Sequence, residues 1–232
     1  MRRLFYNLGN KLGIDKLAEY AEKTGLGEKS GIDLPSEYGG LVPTRRWKIR
    51  TFRQPWFPGE TVMIAIGQGY LELTPVQLAR AVGGLAMGGS WPRPHLLLDP
   101  APKDVPVSRY PLRPETVKPI VAGMYGVMNE AGGTAVRHRQ EGIAICGKTG
   151  TAQTASNKLA KSRRDPAFTD NAWFVGYAPC DNPEIAVASL LEAGEHGDRA
   201  APMVRDVILA HFAKKNRRQP GAVLSASAVG RQ

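Results

Sequence analysis

The chain has 232 residues, of which 42% are hydrophobic, enough for a packed core and too many for wholesale disorder. Its formal net charge of +10 favours acidic partners, but the basic residues build no reading helix for nucleic acid. They gather at Arg45–Arg53, Lys158–Arg164 and Lys214–Arg218, three stretches that read as solvated faces. No run of about 18 apolar residues occurs, which excludes a membrane-spanning helix within these residues, and Met1-Arg2-Arg3 leading into "LFYNLGNKLGI" does not read as a signal peptide.

In chain order, the first predicted helix covers Asp15 to Lys23, with Asp15 as N-cap, Gly25 beyond its end, and Leu17, Ala18 and Ala21 as its apolar face. The stretch from Pro35 to Gly69 is rich in Gly and Pro and carries Trp47, Phe52, Trp56 and Phe57, so it reads as a long ordered loop. "TPVQLARAVGGLAMGG" predicts the clearest helix. Thr74 caps it, Pro75 suits its first position, and Val76, Ala79, Val82 and Ala86 repeat at helical steps before Gly88-Gly89. A third helix is predicted from Pro114 to Glu130, with Val117, Val121, Met124 and Met128 on one side and Pro119 tolerated in its first turns.

Strand signals follow in "IAIC" running into "KTGTAQT", in "NAWFVGYA" and in "EIAVASLLEA". Only "PCDNP" joins the last two, so that pair is predicted antiparallel. The last helix is "APMVRDVILAHFAKK", with Met203, Val204, Val207, Ile208 and Phe212 facing a core and Lys214 and Lys215 at the end that favours cations. The tail from residue 215 to 232 is expected to be a disordered basic segment. Cys146 and Cys180 have no paired spacing, so neither a disulfide framework nor a zinc site is indicated. His95, His138, His196 and His211 lie apart, without ligand spacing, and no metal or cofactor is expected.

The decisive stretch is "GIAICGKTG", Gly142 to Gly150. It matches G-x-x-x-x-G-K-T, the phosphate-binding loop of nucleotide hydrolases. That loop needs a buried strand before the first Gly and a helix opening at Lys-Thr. Here "VRHRQE" precedes it, Ile-Ala-Ile-Cys reads as strand, and "GTAQTASNK" opens no helix. The last three letters match instead the K-T-G strand of the penicillin-interacting enzymes.

Several other stretches fit that second reading: "PGETVMIAIGQGYLELTPVQLARA", "GMYGVMNEAGGTA", "NAWFVGYAP", "HGDRAAP" and "LGIDKLAEYAEKTGLGEKSGIDLPSEYGGLVPTRRWK". Together they resemble the transpeptidase domain of the penicillin-binding proteins over Leu4 to Lys214. Within that family they look most like the class B elongation enzymes, the penicillin-binding protein 2 group. The resemblance implies an α+β sandwich, an antiparallel sheet flanked by helices, with residues 1–214 as the C-terminal part of the domain. It also implies serine acyl transfer that cross-links peptidoglycan stem peptides during wall synthesis and shape maintenance.

In that scheme Lys148 supplies a fixed positive charge near the substrate carboxylate and the proton-relay serine, and Thr149 and Thr151 offer hydroxyls to the carboxylate. Gly150 lets the ligand lie against the backbone. The strand should stand at a sheet edge, so that the substrate adds to it as a further strand. The period of two sends Lys148 and Gly150 to one face and Thr149 and Thr151 to the other, which is compatible with one site only if the strand borders a cleft.

Gly67, Gln68 and Gly69 read as a structural turn beneath the site, Trp173 and Phe174 as core aromatics, and Glu192 and His196 as solvated loop residues. The implied partners are stem peptides or a lipid-linked precursor, β-lactams and a membrane glycosyltransferase, with no nucleic acid. The implied location is the periplasmic face of the inner membrane, reached through an anchor helix not found in these residues.

Two family motifs do not occur. No Ser here has Lys three residues on, and none has Asn two residues on, so the nucleophile with its lysine base and the relay serine are absent. The chain is therefore expected to be inactive alone and to expose apolar surface. A nucleotide-binding protein and a non-catalytic cell-wall peptide-binding module are the two other readings.

Overall fold

The computed structural model describes residues 2–97, 107–154 and 169–218. In chain order the elements are α1 (Arg2–Lys23), α2 (Arg45–Phe52), α3 (Pro58–Ile64), α4 (Pro75–Ala86), β1 (Ser90–Pro92), β2 (Val107–Arg109), α5 (Pro114–Asn129), β3 (Cys146–Ala152), β4 (Asn171–Ala178), β5 (Ile185–Leu191) and α6 (Ala201–Arg218). A 3₁₀ turn, Gly197–Ala200, leads into α6. β3, β4 and β5 form an antiparallel sheet in that order, and β1 and β2 form a separate two-stranded ribbon. The register sets Lys148 opposite Val175 and Gly150 opposite Trp173.

The sheet separates two apolar layers. On one face Ala201, Val204, Ile208 and Phe212 of α6 pack with Ile145, Ala172, Phe174, Ala178 and Met128. On the other, Met124, Cys146 and Tyr177 pack with Val82, Leu85 and Ala86 of α4 and Val121 of α5. This is the expected α+β sandwich. Within α6 the buried stripe steps by three and four residues, while Met203 and Val207, expected in the core, are about half exposed.

Three local readings need correction. The first helix begins far upstream of Asp15 and breaks at Gly13, whose φ of 76° is non-helical. The Asp15 carboxylate accepts from Arg45 Nε at 3.0 Å. Between Pro35 and Gly69 the chain forms α2 and α3, each under nine residues and too short to show a helical period. Finally, α6 continues to Arg218, four residues into the segment expected to be a loose tail, and the Lys215 ammonium pairs with Glu184.

The same region overturns the reading of Arg45–Arg53 as a uniformly solvated face. Lys48 is only 3% exposed. Its ammonium pairs with Glu60 and donates to the Tyr70 hydroxyl at 2.9 Å. The Phe52 and Tyr70 rings face it, and Trp47, Phe52 and Tyr70 pack together with ring centroids 5.1–5.5 Å apart. The cluster Lys158–Arg164 lies outside the described residues.

Cys146 and Cys180, read as unpaired, form a disulfide across a separation of 34 residues, with Cα atoms 5.3 Å apart. The antiparallel register brings them together. Cys146 stands opposite Tyr177, and the Cys180 N–H reaches the Ala144 carbonyl at 3.1 Å. A separation in sequence carries no trace of that register.

α4 is anchored more firmly than its apolar period indicates. Thr74 and Gln77 form a reciprocal capping box. The fully buried Gln77 amide also donates to the carbonyls of Glu28 and Gly39, at 2.5 and 2.6 Å. One side chain thereby ties the helix to two loop segments and uses both of its donors.

Candidate functional site

In an antiparallel strand the main-chain groups of successive residues alternate between the two edges. The Ile145 and Thr151 carbonyls accept from the side-chain amides of Asn129 and Gln68 rather than from β4. The alternation therefore turns the groups of Ile145, Gly147, Thr149 and Thr151 to the edge away from β4. β3 is the terminal strand of its sheet, so among the described residues that edge has no neighbouring strand. This is the edge position expected for a ligand-holding strand.

Thr149 and Thr151 share the face toward α6. The Thr149 hydroxyl lies 2.9 Å from the Thr134 hydroxyl, and the Thr151 hydroxyl accepts from the Gly197 N–H at 3.2 Å. With that acceptor role filled, the Thr151 proton remains available to an anionic ligand oxygen. Gly197 lies directly on the main chain of Gly150; a Cβ there would stand 2.7 Å from the Gly150 nitrogen and collide with its carbonyl. Arg137 and Asp198 form an ion pair beside this contact and join the loop after α5 to the 3₁₀ turn.

Lys148 starts on the opposite face, but its ammonium donates to the Thr149 carbonyl at 2.6 Å. That carbonyl belongs to the open edge, so the side chain curls around the strand. The ammonium therefore reaches the open edge, although the Lys148 Cβ lies on the face opposite the two threonines. Among the described residues no carboxylate pairs with Lys148, and desolvation holds its pKa below the ordinary lysine value of 10.5. Among the described residues this exposed cation has a carbonyl as its hydrogen-bond partner, an arrangement suited to receive an anion.

Gln68 is part of a turn, as expected, and also touches the strand. Gly67 and Gly69 have φ of 73° and 78°, values that favour glycine, and Gln68 stands between them. Its Nε2 donates to the Thr151 carbonyl at 2.8 Å, and its Oε1 accepts from the Gln153 N–H at 3.1 Å.

Phe174 is fully buried, whereas Trp173 is only partly covered, opposite Gly150. Glu192 and His196 are exposed. Lys148 and Thr149 lie inside β3, with no helix opening at them, so the phosphate-loop geometry is not formed. Sequence reasoning missed Thr134 and the Gly197 contact. The available signal for both was a glycine at a loop corner: Gly132 has φ of 85°, and Gly197 precedes the last helix.

The family model for the penicillin binding protein transpeptidase domain matches residues 3–209. The chain belongs to that family. It is 37% identical over 222 residues to peptidoglycan D,D-transpeptidase MrdA of Acinetobacter baumannii, covering 88% of this chain and 32% of that protein. It is 34% identical over 217 residues to MrdA of Escherichia coli K12, covering 88% and 34%. Among solved structures it resembles Pseudomonas aeruginosa PBP2 in complex with WCK 5153, with 40% identity, a TM-score of 0.78, and coverage of 90% of this chain and 46% of that one. It also resembles Helicobacter pylori PBP2 in a complex with MreC, with 32% identity, a TM-score of 0.77, and coverage of 93% and 38%. The chain thus spans about a third of the length of the curated relatives it matches.

Proposed function

We propose that the chain forms the substrate-holding wall of a serine D,D-transpeptidase that cross-links peptidoglycan stem peptides. The observation that carries this reading is the Lys148 ammonium, without a carboxylate partner among the described residues, turned onto the open edge of β3 beside Thr149 and Thr151. The terminal carboxylate of a D-Ala-D-Ala stem meets the ammonium and the two hydroxyls. Its scissile amide then lies along β3, with Gly150 leaving room for it.

A serine oxygen attacks the carbonyl carbon of the penultimate D-Ala. The C–N bond breaks, and the terminal D-Ala leaves as an amine after accepting a proton. An amine of a neighbouring stem attacks the resulting ester, forms the cross-link amide and returns the proton to the serine. The serine and its lysine base are not among these 232 residues, so the wall needs them from a further segment. In this reading β-lactams bind at the same edge, the substrate is a stem peptide or its lipid-linked precursor, and the partner is a membrane glycosyltransferase. The setting is the periplasmic face of the inner membrane, although no helix of the described residues is long and apolar enough to cross a membrane. Residues 1–214 act as the C-terminal part of the transpeptidase domain.

The absence of S-x-x-K and S-x-N from the sequence favours one second reading, a non-catalytic module that binds wall peptides. A fluorescent penicillin separates the two. The 232-residue chain takes no covalent label, and a longer chain that includes an S-x-x-K segment upstream does. A longer chain that stays unlabelled supports the non-catalytic module. Labelling of the 232-residue chain contradicts the assignment of the nucleophile.

A further inference from the structure

Thr149 and Thr151 each rest on a partner from another part of the chain, and the partners leave them in different states. The Thr151 oxygen accepts from the Gly197 N–H at 3.2 Å, so its own proton is free. The Thr149 oxygen lies 2.9 Å from the Thr134 oxygen, and either hydroxyl of that pair can donate to the other. A hydroxyl has one proton and two lone pairs. If Thr149 gives its proton to Thr134, it turns only lone pairs to a ligand and repels an anion. If Thr134 gives its proton to Thr149, the Thr149 proton is free like that of Thr151.

Thr134 is itself exposed, but the main chain on both sides of it is fixed. Gly133 lies so close to the end of α5 that a Cβ there would collide with the carbonyls of Gly126 and Val127. Ala135 is fully buried, and its N–H bonds to the Val127 carbonyl at 3.0 Å. Further along the same loop, Arg137 pairs with Asp198, the residue after Gly197. The two segments that support the threonines are thereby tied to each other as well as to β3.

We propose that Thr134 is a positioning residue that sets specificity for a carboxylate. It donates to Thr149, and the Thr149 and Thr151 hydroxyls then both donate outward. The proposal rests on the reading that these hydroxyls hold the terminal carboxylate of a peptide. A carboxylate only accepts, whereas a carboxamide also brings N–H donors that need acceptors. In the chain from Thr134 to Thr149 to the ligand, each hydrogen bond polarises the next. Without Thr134 the Thr149 hydroxyl turns freely and offers a lone pair as readily as a proton.

The test measures binding of N-acetyl-D-Ala-D-Ala and of its C-terminal carboxamide to the 232-residue chain, by residue-resolved amide shifts. The readout is the ratio of the two affinities. In Thr134→Val the preference for the carboxylate falls about two- to tenfold, the worth of one net hydrogen bond. Thr134→Ala, a smaller residue at the same exposed position, gives the same fall, and Thr134→Ser keeps the wild-type ratio. A merely structural role would weaken both peptides together and leave the ratio alone. Because Thr134 acts through Thr149, adding Thr134→Val to Thr149→Val changes the ratio no further. An unchanged ratio in Thr134→Val and Thr134→Ala, a failure of Thr134→Ser to keep it, or an additive effect in the double variant overturns the proposal. If the wild type binds neither peptide, or both equally, the substrate reading falls and this proposal falls with it. If the wild type prefers the carboxylate and the Thr134 variants do so to the same extent, only the proposal falls.

Discussion

Two lysines, exactly one hundred positions apart, show two uses of a cation. Lys48 is enclosed by Glu60, the Tyr70 hydroxyl and the faces of Phe52 and Tyr70, whose centroids lie 4.8 and 4.6 Å from its ammonium. The hydrogen bonds that it donates to Glu60 and Tyr70 hold its pKa above the usual lysine value. Lys148 has the Thr149 carbonyl, and desolvation lowers its pKa. The first charge is satisfied by its own fold. The second is kept at an edge where a ligand anion can complete it. The same contrast separates other parts of the molecule: the loop segments at Glu28 and Gly39 are bound to α4 through Gln77, and the edge of β3 has no neighbouring strand among the described residues.

The largest effect is expected where the closed region is tied together. Gln77→Leu leaves the Glu28 and Gly39 carbonyls and the Thr74 N–H without their partners, and denaturant unfolding should show a loss of about 3 kcal/mol. Lys48→Met comes next. It leaves the Glu60 carboxylate, largely covered, without its cation, and the melting temperature should fall. Burial raises the Glu60 pKa, but the hydrogen bonds from Lys48 and the Phe57 N–H outweigh it and leave the value below 4.5. A lowered carboxylate contributes stability above its unfolded pKa and loses it as pH falls through the folded one; a raised lysine contributes below its unfolded pKa and loses it as pH rises through the folded one. The gap in melting temperature between wild type and Lys48→Met should therefore be widest in the neutral range, and shrink below 4.5 and above 10.5.

The smallest stability effect belongs to Lys148→Met. A lysine whose folded pKa is depressed costs stability while it is protonated, and the cost is relieved as pH rises. The variant should melt at or above the wild-type temperature at neutral pH. A clear drop would make Lys148 a structural cation like Lys48 and remove the contrast.

The sheet and its flanking helices were legible because each carries a local signal: Thr74-Pro75 opens α4, Gly88-Gly89 closes it, and "NAWFVGYA" and "EIAVASLLEA" bracket a short hairpin. The strand that carries Lys148–Thr151 was legible for the same reason, and its edge position followed from the resemblance that K-T-G carries. Lys48 was not, because a lysine among arginines looks solvated until the aromatic rings around it are placed. The Cys146–Cys180 bond, the contact of Gly197 with Gly150 and the reach of Gln68 to Thr151 join residues 34, 47 and 83 positions apart. Such contacts arise from packing and leave no periodic mark. The curl of Lys148 around the edge was also hidden: alternation placed it opposite the threonines, and only the side-chain path carries its ammonium to the open edge.

The most direct test of the central claim compares a D-Ala-D-Ala peptide bearing a free carboxylate with its C-terminal amide, by residue-resolved amide shifts in wild type and Lys148→Met. The account predicts that the carboxylate peptide moves the Lys148–Thr151 amides in the wild type, and that its affinity fades with rising pH before an ordinary lysine would lose its proton. It also predicts that both the amide peptide and the variant lose this response. Equal binding of the two peptides, or undiminished binding to Lys148→Met, would contradict it.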